Sequence, residues 1–175
     1  MNSLESYNKY RSLMKTGDVL QWKSNSLLGK GIRLRKGGDI NHTGIIIRLT
    51  EYEGLERRVF TLEALESGVV LNLLSRRLES FDGEVYLHLL KSEYDCTRQS
   101  IGERALYCVG IPYDYPSILK ECFGNAQMGF NKLFCSETAW YALTGKTEGE
   151  APDPIEFEEY LSDWFVVPHI SLLGG

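Results

Sequence analysis

The sequence predicts an α+β domain in which a mainly antiparallel sheet packs against helices. Three observations carry that prediction. Short strand-like segments crowd the first half of the chain and helical periodicity takes over in the second, the order expected of α+β rather than of alternating α/β folds. The run Ile45-Ile46-Ile47 is apolar at successive positions, as in a strand buried on both faces. A length of 175 residues with 43% hydrophobic content suffices for one sizeable core. The expectation is therefore a single domain spanning 1–175, with 1–15 as a polar, helical N-terminal extension.

The elements follow in order. Gly17-Asp18-Val19-Leu20-Gln21-Trp22 reads as a turn feeding a strand, and Asp18 and Trp22 are expected to shape a turn beside the functional site. Residues 23–39 read as a loop or short helix rich in Ser, Gly, Lys and Arg. A strand over 42–49 follows, then Arg58–Glu63, Gly68–Leu73 and Glu84–Leu90, a meander punctuated by turn-like Glu53-Gly54. From Cys96 to Val109, Ile101, Ala105, Leu106 and Val109 recur at helical spacing, and Gly110-Ile111-Pro112 ends the run. A shorter helix is expected after Pro116, ending at Gly124. Another opens at Cys135, and a last one opens at Asp153-Pro154, aspartate as cap and proline in the first turn. Trp164-Phe165-Val166-Val167 reads as a final strand.

The net charge of −5 argues against general affinity for nucleic acid or anionic membranes. No apolar run approaches the roughly 20 residues that span a bilayer, and the N-terminus lacks a signal peptide's apolar core. A cytoplasmic protein is the expectation. Cys96, Cys108, Cys122 and Cys135 stand well apart with no Cys-x-x-Cys pair, a spacing unlike a zinc knuckle or a disulfide scaffold. Three of them read as small core residues. His42, His88 and His169 have no close pairing, so no metal site and no cofactor is expected.

Cys135 is the exception among the cysteines. A helix N-terminus lowers a thiol pKa from its usual value of about 8.5, because unsatisfied N–H groups and the macrodipole favour negative charge there. Those N–H groups also suit a developing oxyanion. His42, at the start of a central strand, projects from the sheet rim and has the ring chemistry to take and return a proton. The other two histidines lie among strand-like apolar neighbours and read as structural. An imidazole needs an orienting partner. Glu63, expected at the end of the neighbouring strand and sharing a face with Thr61 and Val59, is the candidate, with Glu66 as the substitute. Histidine precedes cysteine here, the reverse of the usual papain order.

The set Gly17-Asp18-Val19-Leu20, His42-Thr43-Gly44-Ile45, Leu62-Glu63-Ala64, Gly68-Val69, Pro112-Tyr113-Asp114-Tyr115 and Phe134-Cys135-Ser136-Glu137 resembles the circularly permuted papain-like cysteine hydrolases, the permuted branch of the NlpC-type superfamily. That branch includes the bacterial YiiX-like proteins, a poxviral relative and, more distantly, lecithin retinol acyltransferase. The resemblance spans roughly residues 16 to 165. It implies Cys135 as nucleophile, His42 as base and Glu63 as the orienting group. The acyltransferase branch has histidine at the third position, so Glu63 points to the YiiX-like branch and to hydrolysis rather than acyl transfer. Tyr113 lies in a motif of this branch, where a phenol would donate near the oxyanion, line the cleft, or pack.

From Lys23 to Lys36 the chain carries five basic residues (Lys23, Lys30, Arg33, Arg35, Lys36) and no acid. Arg33 and Arg35 are candidates to border the cleft and receive an anionic headgroup or peptide carboxylate; the alternative is a solvated loop. Gly29-Lys30-Gly31 completes neither a dinucleotide fingerprint nor a P-loop, and no Gly-x-Ser-x-Gly elbow is present. The expected activity is cleavage of an amide, ester or thioester bond in a small-molecule, lipid or peptide substrate through an acyl-cysteine. A non-catalytic lipid- or peptide-binding module on the same fold is the main alternative. A peptidoglycan endopeptidase is a third, weakened by the absence of a wall-binding segment or export signal in the sequence.

Overall fold

The computed structural model describes residues 4–25, 39–112, 135–146, 151–152 and 156–174. Its sheet has six strands in the spatial order β4-β3-β2-β1-β5-β6: β1 (Val19–Ser24), β2 (His42–Ile47), β3 (Phe60–Leu65), β4 (Gly68–Leu73), β5 (Gly83–His88) and β6 (Ile170–Leu173). Every neighbouring pair is antiparallel. The helices are α1 (Glu5–Tyr10), α2 (Leu74–Glu79), α3 (Arg98–Tyr107), α4 (Cys135–Thr144) and α5 (Phe157–Trp164), with a 3₁₀ turn at Ser92–Thr97 before α3. This is the α+β, mainly antiparallel architecture expected.

Both faces of the sheet are covered, which is why the triple isoleucine can stand without alternation. On one face Ile45, Ile47, Val19 and Leu62 meet the helical residues Ile101 of α3 and Ala139 of α4. On the other, Leu20, Trp22 and Ile46 pack with Tyr7, Leu74 and Leu78. Tyr7 of α1 and Met14 just beyond it are buried, so the N-terminal segment closes this second layer instead of extending from the domain.

Two differences from the sequence expectation have simple causes. The last strand is Ile170–Leu173, whereas Trp164 closes α5 and Val166 and Val167 are exposed. Pro168, which has no N–H to give a ladder, separates the exposed valines from the paired strand. Helix α2 has no counterpart in the sequence reading. It is only six residues long, and its fold signal is the single i, i+4 pair Leu74 and Leu78, both buried. The helix expected after Pro116 and the Asp153-Pro154 cap lie outside the described residues.

Candidate active site

β2 is central, with β1 and β3 on its two sides, and His42 is its first residue. Alternation along the strand puts His42, Gly44 and Ile46 on the face of the second layer. There His42 registers opposite Trp22 of β1, the two rings lying 6.3 Å apart between centroids. On the other side of β2, Gly44 registers with Glu63 of β3. Glu63 is therefore the diagonal neighbour of His42, close enough for a long side chain to reach. It lies inside β3 rather than at its end, because the strand runs on to Leu65 before Gly68 opens β4.

The reach requires Gly44. A Cβ at that position would stand 2.9 Å from Glu63 Cγ and 2.9 Å from Thr61 Oγ1. With the glycine there, the Glu63 side chain lies across β2, and its Oε2 stands 2.8 Å from His42 Nε2. Glu63 is fully buried. Glu66, the substitute considered from sequence, is exposed in the β3–β4 turn.

Cys135 opens α4, the helix packed on β2 and β3, and its thiol is buried with 7% exposure. The cysteine belongs to the layer on the opposite face from Trp22. His42 sits at the strand's end, where its Nε2 meets Glu63 at 2.8 Å and the ring interacts electrostatically with the Cys135 side chain. With Nε2 committed to Glu63, Nδ1 is the ring nitrogen left for sulfur. Burial alone would push the His42 pKa down, but the Cys135 charge and hydrogen bond, followed by those of Glu63, outweigh it and raise the ring to about 9. A ring raised by a neighbouring cysteine and held by a carboxylate is the electrostatic arrangement of a cysteine nucleophile and its base.

Arg77 of α2 completes the constellation, and the sequence reading missed it. Its Nε donates to both oxygens of Glu63, at 3.2 Å to Oε1 and 3.3 Å to Oε2. The guanidinium lies over the Trp22 ring at 4.7 Å and near the Phe81 ring at 5.1 Å. The available signal was the Leu74/Leu78 spacing, which places Arg77 one position from the buried stripe of a helix that follows β4 directly.

The remaining candidates separate clearly. Tyr113, Arg33 and Arg35 lie outside the described residues, as do Cys122, Lys30 and Lys36. Lys23, the first of the basic run, is paired with Glu84 at 3.1 Å and Asp39 at 3.5 Å. Asp18 is not beside the site: it precedes β1 at the end opposite Trp22, where it binds Arg98 at 2.9 Å. Trp22 does border the site. His88 is buried on β5 with Nε2 unpartnered, and burial, then the charge of His169, lowers it to about 4. His169 is exposed before β6, not enclosed by apolar neighbours. Cys108 is buried and pushed up to about 11 by that burial. Cys96 is exposed, in the 3₁₀ turn rather than in the core.

No family model matches the chain, and no curated protein matches it. Among solved structures, the crystal structure of metalloprotein yiiX from Escherichia coli O157:H7 superposes with a TM-score of 0.60 at 21% identity, over 78% of this chain and 69% of that one. The chain has the YiiX fold. That likeness agrees with the α+β fold expected from sequence and with the antiparallel sheet in which His42 and Glu63 stand. Among the described residues, no helix is long and apolar enough to cross a membrane.

Proposed function

We propose that the protein is a cysteine hydrolase that cleaves an amide, ester or thioester through an acyl-Cys135 intermediate. The observation that carries this reading is the His42 ring held on Glu63 at 2.8 Å, with Cys135, at the start of α4, the largest influence raising that ring's pKa. In the first half-reaction the Cys135 thiol gives its proton to His42 as Sγ attacks the acyl carbon, and the carbonyl oxygen takes the electron pair while first-turn N–H groups of α4 face it. Collapse of that oxyanion breaks the bond to the leaving group, which receives its proton from His42. In the second, His42 takes a proton from water as the hydroxyl attacks the thioester, and Sγ leaves to recover that proton through the ring. Glu63 holds the ring in orientation throughout. Lipid and acylated-peptide substrates are the classes considered first.

The neighbouring structure is described as a metalloprotein. Here Glu63 accepts from Arg77 on both oxygens and from His42 on one, a cationic surrounding that opposes a dication. Among the described residues no three His, Cys, Asp or Glu side chains stand together so as to hold an ion. The described donors do not fit a metal, and the chemistry above uses none.

The test is trapping. Incubation with a panel of activated acyl esters and acyl thioesters, acid quench and peptide mass mapping should find the acyl mass on Cys135, with none on the Cys135→Ala protein. Binding of the same compounds without an adduct or turnover would instead establish the non-catalytic module.

A further inference from the structure

Glu63 is buried to 0% exposure yet makes a single hydrogen bond to the His42 ring. A carboxylate held at one oxygen is free to rotate about its last torsion, which is broad and roughly two-fold. Rotation would take Oε2 away from Nε2 and leave the ring without a director. Arg77 closes that freedom from the far side, because its Nε spans Oε1 and Oε2 at 3.2 and 3.3 Å.

Arg77 is itself held. Its guanidinium stacks on Trp22 and Phe81, whose rings meet edge to face at 4.9 Å. Trp22 is fully buried and is the strand partner of His42. One indole therefore sets the position of Arg77 and also borders the ring that Arg77 acts on through Glu63. The planar, delocalised guanidinium suits stacking on rings while donating sideways; an ammonium on the same stem supplies charge without that plane.

We propose that Arg77 is a positioning residue of this site: packed against the touching rings of Trp22 and Phe81, it fixes the Glu63 carboxylate and through it the orientation of His42. The assignment rests on the hydrolase reading for its purpose, but the geometry it predicts is measurable without substrate.

The experiment compares native protein, Arg77→Met and Arg77→Lys by two readouts. The first is the proton NMR resonance of the His42 Nε2–H, identified by its loss in His42→Ala. The second is the iodoacetamide alkylation rate of Cys135, with exposed Cys96 as the internal reference. In Arg77→Met the resonance should broaden or move upfield, and Cys135 alkylation should fall about tenfold or more, the scale of a slightly misplaced catalytic group. Arg77→Lys should fall between, with the Cys96 rate unchanged throughout. A native-like resonance and native-like rate in Arg77→Met overturn the proposal. If Arg77→Met does not fold, Arg77→Lys decides by the same criteria. The two readings also fail differently: native Cys135 reacting no faster than Cys96 would sink the hydrolase reading, while the resonance would still report whether Arg77 sets the ring.

Discussion

Two buried carboxylates stand at opposite ends of the central strands, each gripped by an arginine, and they are built for different purposes. Asp18 accepts from the Lys15 N–H at 2.8 Å, the Leu90 N–H at 3.1 Å and Arg98 at 2.9 Å. Arg98 donates onward to the Thr16 and Leu90 carbonyls at 2.7 and 2.9 Å. That node ties the chain before β1 to the residues after β5 and to α3, and its partners are backbone groups and fixed charges. Burial pushes the Asp18 carboxyl up, against the pull of these donors. Glu63 also has its arginine, but its other partner is an imidazole whose pKa is raised chiefly by Cys135. The first node is closed and spends its charge on connectivity. The second ends on a group that exchanges protons, and that difference separates a structural ion pair from a candidate catalytic one.

Substitutions at the two ends should therefore part stability from reactivity. Asp18→Ala strands Arg98 and two backbone N–H groups, and should cost about 3–5 kcal/mol in urea unfolding. The relative alkylation rate of Cys135 in the folded variant should stay native. Glu63→Gln should do the reverse, with a large drop in that rate; equal effects of both on rate would erase the distinction.

The next effect concerns pH at the Asp18 end, where His88 registers with Val19. Its folded pKa of about 4 lies below the ordinary 6.5, so the unfolded chain binds the extra proton first. Stability should fall as pH drops from about 6.5 to 4 and then level, by at most about 3.5 kcal/mol. His88→Gln should flatten that segment of the unfolding profile. His42 carries the opposite sign: its raised value adds stability that is complete below about 6.5 and lost as pH rises through about 9. Titration of both rings by NMR checks the two signs together.

Gly44→Ala should come next. The added Cβ at 2.9 Å from Glu63 Cγ forces that side chain to shift, at about 1–3 kcal/mol, and Cys135 alkylation should slow together with the loss in unfolding free energy. The smallest effect belongs to the exposed Lys15–Asp95 pair at 3.2 Å. Lys15→Gln, which removes that pair and leaves the Arg98–Asp95 contact at 2.6 Å in place, should change stability by less than about 1 kcal/mol. A larger loss would mean that the pair is coupled through Asp95 and Arg98 to the Asp18 node.

What was legible in the sequence is local. The Ile45-Ile46-Ile47 run announced a doubly covered strand, and the element starts occupied by His42 and Cys135 were readable from residue type and edge, whereas Glu63, expected at a strand end, stands inside β3. What was not legible depends on pairing across the sheet. Gly44 gains its importance only from facing Glu63, a register that no periodicity reveals. Arg77 sits on a six-residue helix whose only mark is one leucine pair, and its role depends on Trp22 two strands away from Glu63. Asp18 illustrates the converse: four residues before Trp22 is one strand length, and alternation says nothing about which end of a strand the site occupies.

The central claim is that His42 makes Cys135 reactive. Its most direct test is the iodoacetamide alkylation rate of Cys135 against Cys96 at neutral pH, in native protein and in His42→Ala. The account predicts that native Cys135 reacts on the order of a hundredfold faster than Cys96 and that His42→Ala removes the difference. Equal rates at the two cysteines, or a fast Cys135 that ignores the loss of His42, would contradict it.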